Sequence, residues 1–194
     1  MKVEDSQLKI LNISGKGFKK QLLISSKEVS TLHVFLKEII NDSVMIINTN
    51  VGLDVYYHSS LCYKDLIVNA FLLLTTCKGK SMDDFHIKSL NSESDIENET
   101  NRFFEKLIKN PLLFKSYTKS LFNQLKINYS NNVELIDELL ALWQNKILET
   151  NLDSNILKIM VPYIINLQGT YFETLNQPIL KSLARETLKE ARFN

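Results

Sequence analysis

The chain has 194 residues, of which 44% are hydrophobic and 23% charged. That is enough apolar material for one core or two small ones, and it excludes a chain that is disordered throughout. With 23 Lys and Arg against 22 Asp and Glu, the balanced charge argues against a protein held mainly by nucleic acid or an anionic membrane.

The first half reads as mixed strand and helix. Leu8, Ile10, Leu11 and Ile13 make a short β-prone run, and Phe18, Leu22, Leu23 and Ile24 make a second. Ser14-Gly15-Lys16-Gly17 lies between them and is a hairpin signal, so the two runs are expected to pair. Ser25 or Ser26 can cap a helix, with Glu28 placed in its first turn. Val29, Leu32, Leu36, Ile39 and Ile40 then recur at helical spacing. Val44-Met45-Ile46-Ile47 reads as a strand, the polar stretch to Gly52 as a turn, and residues 53–57 as a further short strand.

The apolar run at 61–77 has two readings. It is a buried helix capped by Ser59 or Ser60 and ended by Gly79, or a turn followed by a buried strand at 70–76. Periodicity does not separate them over so short a run. The order of the elements before it favours the strand. Residues 79–99 carry Asp83, Asp84, Glu93, Asp95, Glu97 and Glu99 and read as a solvated acidic linker. The rest reads as helix. One helix covers 100–109, and Pro111 opens a second at a favourable first position. Asn131 or Asn132 caps a third at 133–149, with Val133, Ile136, Leu139, Leu140, Trp143 and Ile147 as its stripe. Further helices are expected near Asp153 and Pro178, completing a small bundle.

The order of elements over residues 8–77 resembles ubiquitin-like β-grasp domains. The runs at 8–13 and 18–24 around Ser14-Gly15-Lys16-Gly17 look like that family's opening hairpin, and 25–42 looks like its single long helix. Val44-Met45-Ile46-Ile47 with Gly52-Leu53-Asp54 looks like its third strand and the following turn, and 70–76 falls on its last strand. No di-glycine terminus follows; Cys77-Lys78-Gly79-Lys80 runs on into more chain. The resemblance therefore implies an embedded domain that docks partners, not one conjugated through its end. It also implies a partner-binding patch on the sheet, with Met45 or Ile47 beside Phe71 or Leu73. The expected fold is α+β: a β-grasp-like domain at 1–78, a linker at 79–99 and a helical bundle at 100–194.

Few residues suggest chemistry. The five glycines, at 15, 17, 52, 79 and 169, form no phosphate-binding loop, and no cofactor is expected. Cys62 and Cys77 with His33, His58 and His86 show no zinc spacing, and two cysteines do not make a disulfide scaffold. His58 stands near Cys62, but proximity in sequence is no sign of a catalytic pair. His86 beside Asp83 and Asp84 is expected in a solvated loop. The polar N-terminus has no apolar segment behind it, so no signal peptide is expected, and the run at 66–77 is too short to span a membrane. A reducing compartment, cytoplasm or nucleus, follows. Trp143 can anchor an interface. Lys106, Lys109, Lys115, Lys119 and Lys126, interleaved with Phe104, Phe114, Tyr117 and Phe122, offer an alternative nucleic-acid surface. The expectation is a non-catalytic adaptor or subunit of an intracellular protein complex.

Overall fold

The computed structural model describes residues 6–17, 22–76, 79–109 and 111–149. The elements in chain order are β1 (Gln7–Gly15), α1 (Ser26–Ile40), β2 (Val44–Asn48), β3 (Leu53–Ser59), α2 (Lys64–Thr76), β4 (Phe85–Leu90), α3 (Glu93–Lys109), α4 (Pro111–Asn128) and α5 (Val133–Glu149). Short 3-10 turns lie at Met82–Asp84 and Tyr129–Asn131. The four strands make one antiparallel sheet in the order β2-β3-β1-β4. With a helix after β1 and another after β3, this is the strand order of ferredoxin-like split βαβ sheets.

Local chemistry explains most boundaries. Ser25 caps α1 in a capping box: its Oγ accepts from the Glu28 amide, and the Glu28 carboxylate accepts from the Ser25 amide. Asn41 closes the helix in the left-handed region at φ 54°. Leu32, Leu36 and Ile40 face inward at helical spacing, whereas Val29 of the expected stripe is only partly buried and Ile39 is exposed. Strand alternation sorts the sheet residues into two faces. The first face presents Leu11, Ile13, Leu53, Val55, Tyr57, Val44, Ile46 and Phe85, which form one buried core with Leu32 and Leu36 of α1 and Ile67 and Phe71 of α2. The second face presents Leu8, Ile10, Asn12, Met45, Ile47, Asp54, Tyr56, Lys88 and Leu90. Helix α3 packs against β1 and β4.

The coarse expectation of an α+β chain with an antiparallel sheet holds. Three elements differ from those expected of the β-grasp layout, each for a physical reason. Residues 22–24 are not a strand, so among the described residues nothing pairs with β1 as an opening hairpin; Phe18 to Gln21 lie outside the described residues. Both edges of β1 are already taken, one by β3 and the other by β4. Leu23 and Ile24 are buried instead as irregular chain, with the Ile24 carbonyl accepting from Asn48 Nδ2 at 2.8 Å. Second, residues 64–76 are helix, not the strand expected at 70–76. Ile67, Val68, Phe71 and Thr75 are its buried residues, a three-to-four spacing that only a helix turns to one side. Third, residues 79–99 are not a linker. They contribute β4, which supplies the fourth strand, and the start of α3.

Two compact units divide at Tyr117 and Thr118, inside α4. The first contains the sheet. The second contains α5, where Ile136, Leu139, Leu140 and Trp143 of the expected stripe are buried, joined by Leu135; Val133 is partly buried, and the side chain of Ile147 lies outside the described residues. Tyr129 is buried there too, its hydroxyl donating to Asp137 Oδ1 at 3.0 Å. The helices expected near Asp153 and Pro178 lie outside the described residues.

Candidate functional site

The second face of the sheet carries a transverse polar row. In the pairing register Asp54 stands opposite Ile47 on one side and Asn12 on the other, and Asn12 stands opposite Lys88. Asn12 Nδ2 donates to Asp54 Oδ1. Lys88 ends the row in an ion pair with Glu99 of α3, which places that helix over this face. The row's surroundings are apolar: Met45 and Ile47 are buried completely, and Ile10, Tyr56 and Leu90 nearly so.

This setting changes how the row titrates. Burial pushes the Asp54 carboxyl up to about 6, against the opposing effect of the Asn12 hydrogen bond. Tyr56 on the same strand and Tyr117 on α4 are both buried. Their hydroxyls are held well above the ordinary tyrosine range, first by burial and then by the Asp54 charge. The arrangement is one carboxyl that changes charge near pH 6, with two phenols that stay protonated at neutral pH. A carboxyl so placed can take up and release a proton; the phenols serve only as neutral hydrogen-bonding groups.

A second polar cluster closes one end of the first face. Lys9 is buried and its Nζ donates to the Ser60 carbonyl at 3.1 Å. Tyr57, opposite Lys9 in the register, accepts the Tyr63 amide on its hydroxyl at 3.3 Å. Burial pushes that hydroxyl up to about 12, opposed by the Tyr63 amide and reinforced by Cys62. The exposed Cys62 thiol donates to Asn91 Oδ1 at 3.5 Å, and Ser89 donates to the same oxygen at 3.1 Å. These bonds tie the β3–α2 loop to the end of β4.

The residues singled out in the sequence scatter. Met45 and Ile47 are buried on the second face, and Phe71 is buried in the core of the first. Phe71 and Leu73 share a helix rather than a strand, so they do not line one sheet face with Met45 and Ile47; Leu73 is 75% exposed. Trp143 is buried on α5. Lys106, Lys109 and Lys126 are exposed, while the side chains of Lys115 and Lys119 lie outside the described residues. His58 lies on the second face and Tyr57, beside Cys62, on the first. His33 Nε2 donates to the Val44 carbonyl of the edge strand at 2.9 Å. His86 is on β4, not in a loop.

Sequence reasoning missed Asn12, Asp54, Tyr56 and Tyr117 as a group. A signal was present in the strands, where Asn12 and Asp54 interrupt otherwise apolar alternation. Only the register shows that the two interruptions meet. Among the described residues, no three His, Cys, Asp or Glu side chains converge as a metal site would require, and no helix is long and apolar enough to cross a membrane. No protein family, curated protein or solved structure matches the chain.

Proposed function

We propose that this chain is a non-catalytic adaptor or subunit of a multiprotein complex in the cytoplasm or nucleus, and that it recruits its partner through the α1–α2 surface. The observation that supports this reading is outward-facing apolar area. On α1, Val34, Phe35 and Ile39 are 57%, 42% and 38% exposed, and Leu73 on the adjoining α2 is 75% exposed. Single exposed apolar residues are ordinary. Three on one helix of 15 residues, with another on the helix packed against it, resemble the surfaces that proteins present to other proteins. Leu73 also belongs to the patch expected from sequence.

The test is affinity capture of the full chain from native lysate, with and without nuclease, alongside Phe35→Asp and Leu73→Asp. The expected result is a set of proteins that survives nuclease and is lost with either variant. Both substitutions are at exposed positions, so circular dichroism should stay unchanged. Capture that collapses with nuclease and falls steeply with salt would favour the alternative, nucleic acid on the lysine-rich helices with Lys106, Lys109, Lys115, Lys119 and Lys126.

A further inference from the structure

We propose that Asp54, tied to Asn12 on the second face of the sheet, is a proton-operated latch that sets how firmly α3 and Tyr117 cover that face. The geometry carries the inference. Asp54 is a half-buried carboxyl in the middle of a face otherwise built from Ile10, Met45, Ile47 and Tyr56, all buried. Its one described hydrogen-bond donor is the Asn12 amide. An amide serves either charge state: its nitrogen donates to a carboxylate, and its oxygen can accept from a protonated acid.

No cation compensates the carboxylate among the described residues. On this face β1 brings Asn12 and β2 brings Met45 and Ile47, all uncharged; β3 brings Tyr56 and His58, and β4 brings His86 and Lys88. Helix α3 brings Glu99, and α4 brings Tyr117. Lys88 lies across Asn12, two strands or about 10 Å from Asp54, and Glu99 engages it. Tyr56 and Tyr117 are neutral neighbours that feel the Asp54 charge. A protonated Asp54 therefore lets the cover pack against a neutral face. An ionised one places an unpaired charge there, which draws water in and loosens the cover. The carboxyl changes state at about pH 6, between acidic and neutral compartments.

Hydrogen–deuterium exchange of the full chain at pH 5.0 and pH 7.5, corrected for intrinsic rates, tests the latch. Peptides from 93–117 should exchange more slowly at the lower pH, by roughly five-fold or more. Peptides from α1 and α2, on the other face, should show no comparable step. The step should vanish in Asp54→Asn and persist in His58→Gln and His86→Gln, histidine being the other side chain that commonly changes charge in this range. Absence of the step in the unsubstituted chain, or its survival in Asp54→Asn, overturns the proposal. A carboxyl carbon NMR titration of the unsubstituted chain needs no variant. A midpoint for Asp54 near 6 is expected, and one near 4 overturns the latch.

Discussion

At Gly52 the turn into β3 passes so close to β1 that an added Cβ would stand 2.6 Å from the Ile13 carbonyl oxygen. A backbone atom in the centre of a sheet cannot step aside as a flexible side chain would. Gly52→Ala is therefore expected to cost about 1–3 kcal/mol, read as a lower urea midpoint at unchanged slope. Asp54 is the opposite case, a residue whose native form is not the most stable one. Its folded pKa of about 6 lies above the ordinary 3.8. Its contribution to stability is thus fully present below the ordinary value and lost as pH rises through about 6. Asp54→Asn keeps an acceptor for Asn12 and removes the charge. It should stabilise the fold at pH 7.5 by about 1–3 kcal/mol and change little at pH 4, as equilibrium unfolding at the two pH values would show. Both residues are plain in the sequence. Their roles are not, because each depends on a neighbour about forty positions away that only strand pairing brings near.

Elements with local signals were legible, and those set by competition were not. Helix α1 carries its own start and stop, Ser25 with Glu28 at one end and Asn41 at the other. Ser25→Ala should cost about 1 kcal/mol, measured by thermal unfolding. Leu36, completely buried, should cost about 2–5 kcal/mol as Leu36→Ala. Strands β2 and β3 were visible for similar reasons, as short β-prone runs around a polar turn. Helix α2 was not. Its residues are apolar almost throughout, so helix and buried strand both satisfied the pattern. The fourth place in the sheet decided between them. Residues 85–90 occupy it beside β1, leaving 64–76 to pack as a helix on the first face. Strand β4 was missed for the complementary reason: an edge strand needs few apolar residues, and acidic neighbours hide it.

At the scale of the whole chain, the division matters for any attempt to isolate a piece. A fragment of residues 1–78 lacks β4, and so leaves β1 with an open edge and the core without Phe85, which stacks edge-on against Phe71 with ring centres 5.0 Å apart. It should give a collapsed proton NMR spectrum, whereas 1–117, the first compact unit, should give a dispersed one. The amino-acid sequence by itself determined the α+β class, the N-cap and inward stripe of α1, the strands β2 and β3, the start of α4 at Pro111 and the start of α5. Each follows from interactions within a few positions: hydrogen bonds to the first free amides, side-chain spacing, and proline's missing donor. The tertiary structure decided the strand order, the helical state of 64–76, the recruitment of the acidic stretch into the sheet, and the meeting of Asn12 with Asp54. Each of these is settled by which segments bury each other's edges and faces, a competition among distant parts of the chain that local spacing does not record.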